Sequence, residues 1–185
     1  MKKNHREWTS LRMNRLTYSA LLLAVAMVLP FVTGQIPEIG AMLSPMHIPV
    51  FLCGFLCGWP WGLAVGFVAP VLRSVLFGMP KLFPTAIAMT FELAAYGCFT
   101  GWLYRVVPRR KGIQYAVLIA AMIAGRVVWG LAQWVLLGTT GGEVTLTILV
   151  TDAVINVIPG IILHIALIPL LVIAMERAGL SLNRK

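Results

Sequence analysis

Charge is what this sequence has least of. Only 11% of its 185 residues are Asp, Glu, Lys or Arg, six of them acidic, while 59% are hydrophobic. Soluble domains are about a quarter charged, so a water-facing globule is excluded and the surface must be buried in lipid. Chemical motifs are missing too. Without a G-x-x-x-x-G-K-[ST] loop to cradle phosphates the chain lacks the means to hydrolyse ATP. Without H-E-x-x-H or G-x-S-x-G it offers neither a zinc-protease site nor a nucleophile elbow. No inverted internal repeat is evident, which argues against an ion-driven secondary transporter. Cysteine is scarce: Cys53, Cys57 and Cys98 lie in apolar runs, an odd number with no His or carboxylate at ligand spacing. That argues against a disulfide framework or a metal site and reads as packing.

What is present is a series of apolar runs: Leu16 to Val32, Ile48 to Trp59, Leu63 to Phe77, Pro84 to Val107, Tyr115 to Leu137 and Leu146 to Met175. A spanning helix needs about 20 apolar residues, so the chain has room for roughly six. The second and third runs are short, and "GWPWG" (Gly58 to Gly62) separates them. Charge decides whether that is a turn. Of the 15 basic residues, 12 fall in three clusters: Lys2 to Arg15, Arg105 to Lys111, and Arg177 to Lys185. Basic loops stay in the cytoplasm, so an even number of spans separates the first two clusters and "GWPWG" must turn the chain. The same rule accounts for the net charge of +9, which in a soluble protein would suggest nucleic acid. The expectation is an all-α integral membrane protein, one domain over 1–185. It has six transmembrane helices at about 15–33, 46–59, 62–78, 84–105, 113–137 and 146–175, with both termini cytoplasmic. The first run follows a basic segment but lacks an A-x-A-like cleavage site, and is read as a retained span.

This topology puts the Gly-, Pro- and Thr-rich loops Thr33 to Pro45, Gly78 to Pro84 and Gly138 to Thr145 outside, on what reads as the working face. The stretch "TAIAMTFELAAYG" (Thr85 to Gly97) then poses a question, because Glu92 sits in the middle of a span. At 1.5 Å per residue, Glu92, Arg126, Asp152, Asn156 and Arg73 lie roughly 12, 16, 9, 15 and 7 Å below the outer surface. Helical spacing gathers Glu92 with Tyr96, Arg126 with Trp129 and Gln133, and Asp152 with Asn156. A charge near the bilayer centre costs about 2.5 to 3.5 kcal/mol, so the four charged residues must face one another or a wet cavity. Structural ion pairs would suffice for any one of them. Aromatic and amide groups on the same stripes favour a small-molecule pocket. His47, between Pro45 and Pro49, reads either as a water-facing helix start or as a hydrogen-bonding group on the pocket rim; His164 reads as packing.

The six-span size, the run "SPMHIPVFLCGFLCGWPWGLAVGFVAPVLRSVLFGMPKLFPTAIAMTFELAAYG" (Ser44 to Gly97) and the "ALLLA" of the first span resemble the substrate-binding S component of an energy-coupling factor (ECF) vitamin transporter. The resemblance implies a subunit of the prokaryotic cell membrane that captures a vitamin-like molecule without catalysis and carries no cofactor. It would deliver its ligand by docking on a transmembrane T subunit and two ATPases, which use the ATP. By position, Ala20 and Ala24 would meet the T subunit, and Thr33 to Pro45 would form a lid over the ligand. Several pockets of the family lack a buried Arg, so Arg73 and Arg126 either signal an anionic ligand or balance Glu92 and Asp152. Pantothenate is the first expectation, with cobalamin, a pyridoxine-type vitamin and a queuosine-type precursor as alternatives. Two other classes are also admitted: a small intramembrane enzyme using Glu92 with His47 or His164, and an assembly subunit whose buried charges are only ion pairs.

Overall fold

The computed structural model describes residues 2–33, 43–108, 110, 112–139 and 158–183, and among them there are helices and turns but no strand. Helix α1 (Lys2–Val28) tightens into a 3-10 turn, Leu29–Thr33. Then come α2 (His47–Cys57), α3 (Trp59–Phe77), a wide turn at Leu82–Ala86, α4 (Ile87–Val106), α5 (Ile113–Thr139) and α6 (Ile158–Arg177). Asp152, Asn156 and most of the expected lid, Thr33 to Pro45, lie outside the described residues.

Among the described residues, five stretches are long and apolar enough to cross a membrane: Leu11–Phe31, Trp59–Phe77, Leu82–Val106, Ile113–Leu136 and Ile158–Arg177. The segment expected at 46–59 differs. It forms an 11-residue helix, α2. Eleven residues rise about 16 Å, half the thickness of a hydrocarbon core. Every residue of α2 is buried, whereas the five longer stretches keep most of their surface outward. The reason is compositional: "HIPVFLCGFLC" is apolar all round except for its first residue, and such a helix belongs in a core. The third segment, by contrast, is a full 19-residue helix.

Gly58 makes the break between α2 and α3. Its φ of +98° is open to glycine and strained for other residues, and Pro60 follows in the first turn of α3, where a missing N–H costs nothing. Across this break the chain folds back. In a continuous helix Gly54 and Gly62 would stand about 12 Å apart, yet a Cβ added to Gly62 would lie 2.9 Å from the Gly54 Cα. The same Cβ would come within 2.6 Å of the Gly97 carbonyl oxygen on α4. Thus the backbones of α2, α3 and α4 touch at one junction, which only small residues permit. Phe51, Phe55, Leu93, Leu118, Ile168 and Val172 fill the core around it. Cys53 and Cys57 are fully buried free thiols, and Cys53 Sγ lies 3.4 Å from Ser19 Oγ of α1.

The last described residues close one end of the bundle. Leu182 N–H donates to the Leu56 carbonyl (2.8 Å), and Arg15 of α1 donates to the Leu182 carbonyl (2.6 Å). Asn183 Nδ2 donates to the Gly101 carbonyl at 3.1 Å and reaches the Gly54 carbonyl at 3.4 Å. Nearby, Tyr104 donates to Glu176, which also accepts from Gln114, tying α4, α5 and α6 together.

Candidate ligand-binding site

The opposite end of α2 carries the polar cluster. Glu92 is 2% exposed on the face of α4 turned toward α2 and α5. One helical turn later Tyr96 donates its hydroxyl to Glu92 Oε1 at 2.7 Å, as residues four apart on a helix can. From α5, Arg126 Nη1 approaches the same oxygen at 3.0 Å. This answers the question of the carboxylate in mid-span. A buried charge is tolerable only when paired and hydrogen-bonded, and Glu92 has both an ion-pair partner and a phenol donor. Gly125 makes the geometry accessible: a Cβ there would overlap the Tyr96 ring, so the phenol packs directly on the α5 backbone.

His47 opens α2 on the same oxygen, but its Nε2 stands 3.8 Å from Glu92 Oε1, too long for a hydrogen bond. Its backbone N–H is taken by the Ser44 carbonyl at 3.0 Å, in a turn where Ser44 adopts a φ of +44°. His164 of α6 stacks on His47 with ring centroids 5.7 Å apart and planes 21° apart. Phe51, one turn along α2, packs against both Tyr96 (4.7 Å) and His164 (6.1 Å). The two imidazoles are 3% and 2% exposed, yet Nδ1 and Nε2 of His47 and Nε2 of His164 have no hydrogen-bond partner among the described residues.

Of the residues expected from sequence, His47, Glu92, Tyr96 and Arg126 therefore converge on one point. Trp129 joins them through Arg126, whose guanidinium lies 5.9 Å from the indole centroid, within cation–π range. Gln133 lies two turns beyond Arg126 on α5, with its Oε1 buried and unpartnered. Arg73 stands apart. It donates to the Met27 carbonyl at 2.6 Å and lies 5.2 and 5.3 Å from the rings of Phe31 and Phe77. Met27 is in the last turn of α1, where carbonyls lack intrahelical donors, so Arg73 caps that helix. Ala20 and Ala24 are exposed on α1. His164, read from sequence as packing, is instead a member of the cluster.

A family model described as ECF transporter, substrate-specific component, matches residues 14–172. The chain belongs to that family. Comparison with curated proteins and with solved structures finds no match. As an S component it is a multi-pass cell-membrane protein that binds a transported substrate rather than a catalyst. The cluster itself is a few polar groups converging from α2, α4, α5 and α6 inside an apolar bundle, the composition usual for a small-molecule site.

Proposed function

We propose that this S component captures a vitamin or related micronutrient at the Glu92 cluster and delivers it by docking on a T subunit driven by two ATPases. Three buried imidazole nitrogens without hydrogen-bond partners among the described residues carry the reading. Polar atoms enclosed without a hydrogen bond each cost about 1 to 3 kcal/mol, and native proteins keep few of them unless something else supplies the partner. A bound ligand is such a partner. Trp129 and Tyr96 would enclose it, with Gln133, Asp152 and Asn156 as further contacts.

The basic clusters favour six crossings with both termini in the cytoplasm, the second crossing made by α2 inside a sheath of its neighbours. Docking would use the exposed Ala20 and Ala24 face of α1, where small side chains allow close approach. The capture reading is tested by thermal denaturation of the detergent-purified chain against pantothenate, cobalamin, pyridoxine and queuosine precursors, with mass spectrometry of any molecule released. A ligand at 100 times its Kd should add about 2.7 kcal/mol of stability. Failure of every compound, with nothing released, would refute capture. For docking, Ala20→Trp and Ala24→Trp should abolish uptake while binding persists; normal uptake in both variants would remove α1 from the interface.

A further inference from the structure

Donor and acceptor arithmetic at this cluster restricts the chemistry of its occupant. The argument rests on the capture reading above. Arg126 is already engaged, at 3.0 Å from Glu92 Oε1 and against Trp129. Arg73 is engaged elsewhere, on the Met27 carbonyl and between two phenyl rings. Among the described residues the cluster's one cation and one anion therefore neutralise each other, leaving no net charge to attract an ion of either sign. What remains unspent is imidazole. A neutral imidazole presents one N–H donor and one acceptor nitrogen, and in His47 neither has a hydrogen-bond partner among the described residues, Nε2 standing 3.8 Å from Glu92 Oε1. His164 adds a third unpartnered nitrogen on a ring stacked parallel to the first. A carboxylate offers acceptors only, so it could satisfy the N–H but would leave the acceptor nitrogen orphaned.

We infer that the occupant is an uncharged molecule presenting a hydrogen-bond donor beside an acceptor, as a carboxamide or lactam edge does. His47 and His164 read that edge, and Arg126 is the counter-ion of Glu92 rather than a receptor for a ligand carboxylate. This departs from the anionic ligand that buried arginines suggest from sequence.

Matched pairs of probes separate the two. The purified full-length chain is titrated with nicotinamide against nicotinate and with panthenol against pantothenate, pairs that differ in whether the polar end is neutral or a carboxylate. Any molecule that copurifies is released by heat and its charge at neutral pH determined by electrophoresis. The expected result is that the uncharged member of a pair raises the melting temperature more than its carboxylate, or that the released molecule is neutral. Preference for the carboxylates, or an anionic released molecule, overturns the assignment while leaving capture intact. No binding by any probe and no released molecule overturns both readings.

Variants test the imidazoles separately. His47→Phe and His164→Phe keep a ring in the stack but remove the orphaned nitrogens. Each should raise the melting temperature of the ligand-free protein and weaken the bound ligand at least tenfold, and His47→Gln, which again offers donor and acceptor, should recover part of the loss. Two effects of opposite sign are not expected of packing residues. If both Phe variants bind normally, the imidazoles do not read the ligand and the assignment fails; if either fails to fold, His47→Leu and His164→Leu, which also lack the ring nitrogens, supply the same comparison.

Discussion

The two ends of α2 are built from similar materials and finished differently. At the Asn183 end the chain answers its own backbone: one carboxamide serves two glycine carbonyls, and Leu182 is held on both sides of its peptide by Leu56 and Arg15, although Arg15 Nε and Ser181 Oγ have no hydrogen-bond partner among the described residues. At the His47 end, about 16 Å away along the helix, a carboxylate oxygen is answered by a phenol and a guanidinium, but three nitrogens of the two imidazoles beside it are not answered among the described residues. Both ends are buried, so exposure does not account for the difference. What differs is the kind of group: at one end side chains and peptides tie two segments of the chain together, and at the other the unanswered atoms are ring nitrogens gathered on one polar cluster.

The largest expected effect breaks the answered part of the His47 end. Glu92 is 2% exposed and Arg126 20%, so the two halves of the pair are not equivalent. Arg126→Met strands a deeply buried carboxylate and should cost about 3 to 5 kcal/mol. Glu92→Leu strands a cation that is less deeply enclosed and keeps its contact with the Trp129 ring, and should cost less. The double variant should regain most of the loss of Arg126→Met, as replacement of a buried pair by apolar groups often does. Thermal melts of all three in one detergent would show this; a double variant as unstable as Arg126→Met would mean that the pair is not what holds Glu92.

Side-chain partnerships were more legible in the sequence than partnerships with backbone. Glu92, Tyr96, Arg126 and Trp129 could be gathered because charges are rare in this chain and residues four or three apart share a helix face. The destination of Arg73 was not legible, since its main partner is a carbonyl at the end of α1 and a carbonyl has no letter in the sequence. The place of His164 beside the cluster was not legible either, since it comes from stacking on a residue 117 positions earlier. The break at "GWPWG" was readable from glycine, proline and charge. That α2 would be short and wholly enclosed was not, because hydropathy does not distinguish a core helix from one that meets lipid.

The intermediate effect concerns the glycine junction that separates the two ends. A Cβ on Gly97 would overlap the backbone of Gly62, and backbone cannot rotate aside as a side chain can. Gly97→Ala should push α3 away from α4 and cost about 1 to 3 kcal/mol. Because Tyr96 is the neighbouring residue and Glu92 lies about one and a half turns away on the same helix, affinity for ligand should fall as well. Gly138→Ala, where an added Cβ meets nothing within 4 Å, is the control and should change neither. Equal melting temperatures for the two variants would show that the helices have room to part.

The smallest effect sharpens the comparison from the closed side. Asn183→Ala removes a donor from the Gly101 and Gly54 carbonyls, but Gly54 also receives the Gly58 N–H at 3.1 Å, so that carbonyl is not stranded. The net loss should therefore be near that of one ordinary hydrogen bond, about 1 kcal/mol. Ligand affinity should be unchanged, because no residue of the Glu92 cluster touches this joint among the described contacts. Melting temperature and affinity measured on the same preparation separate the two quantities. Loss of affinity without loss of stability would show that the ends of α2 are coupled, and that the tail does more than close the bundle.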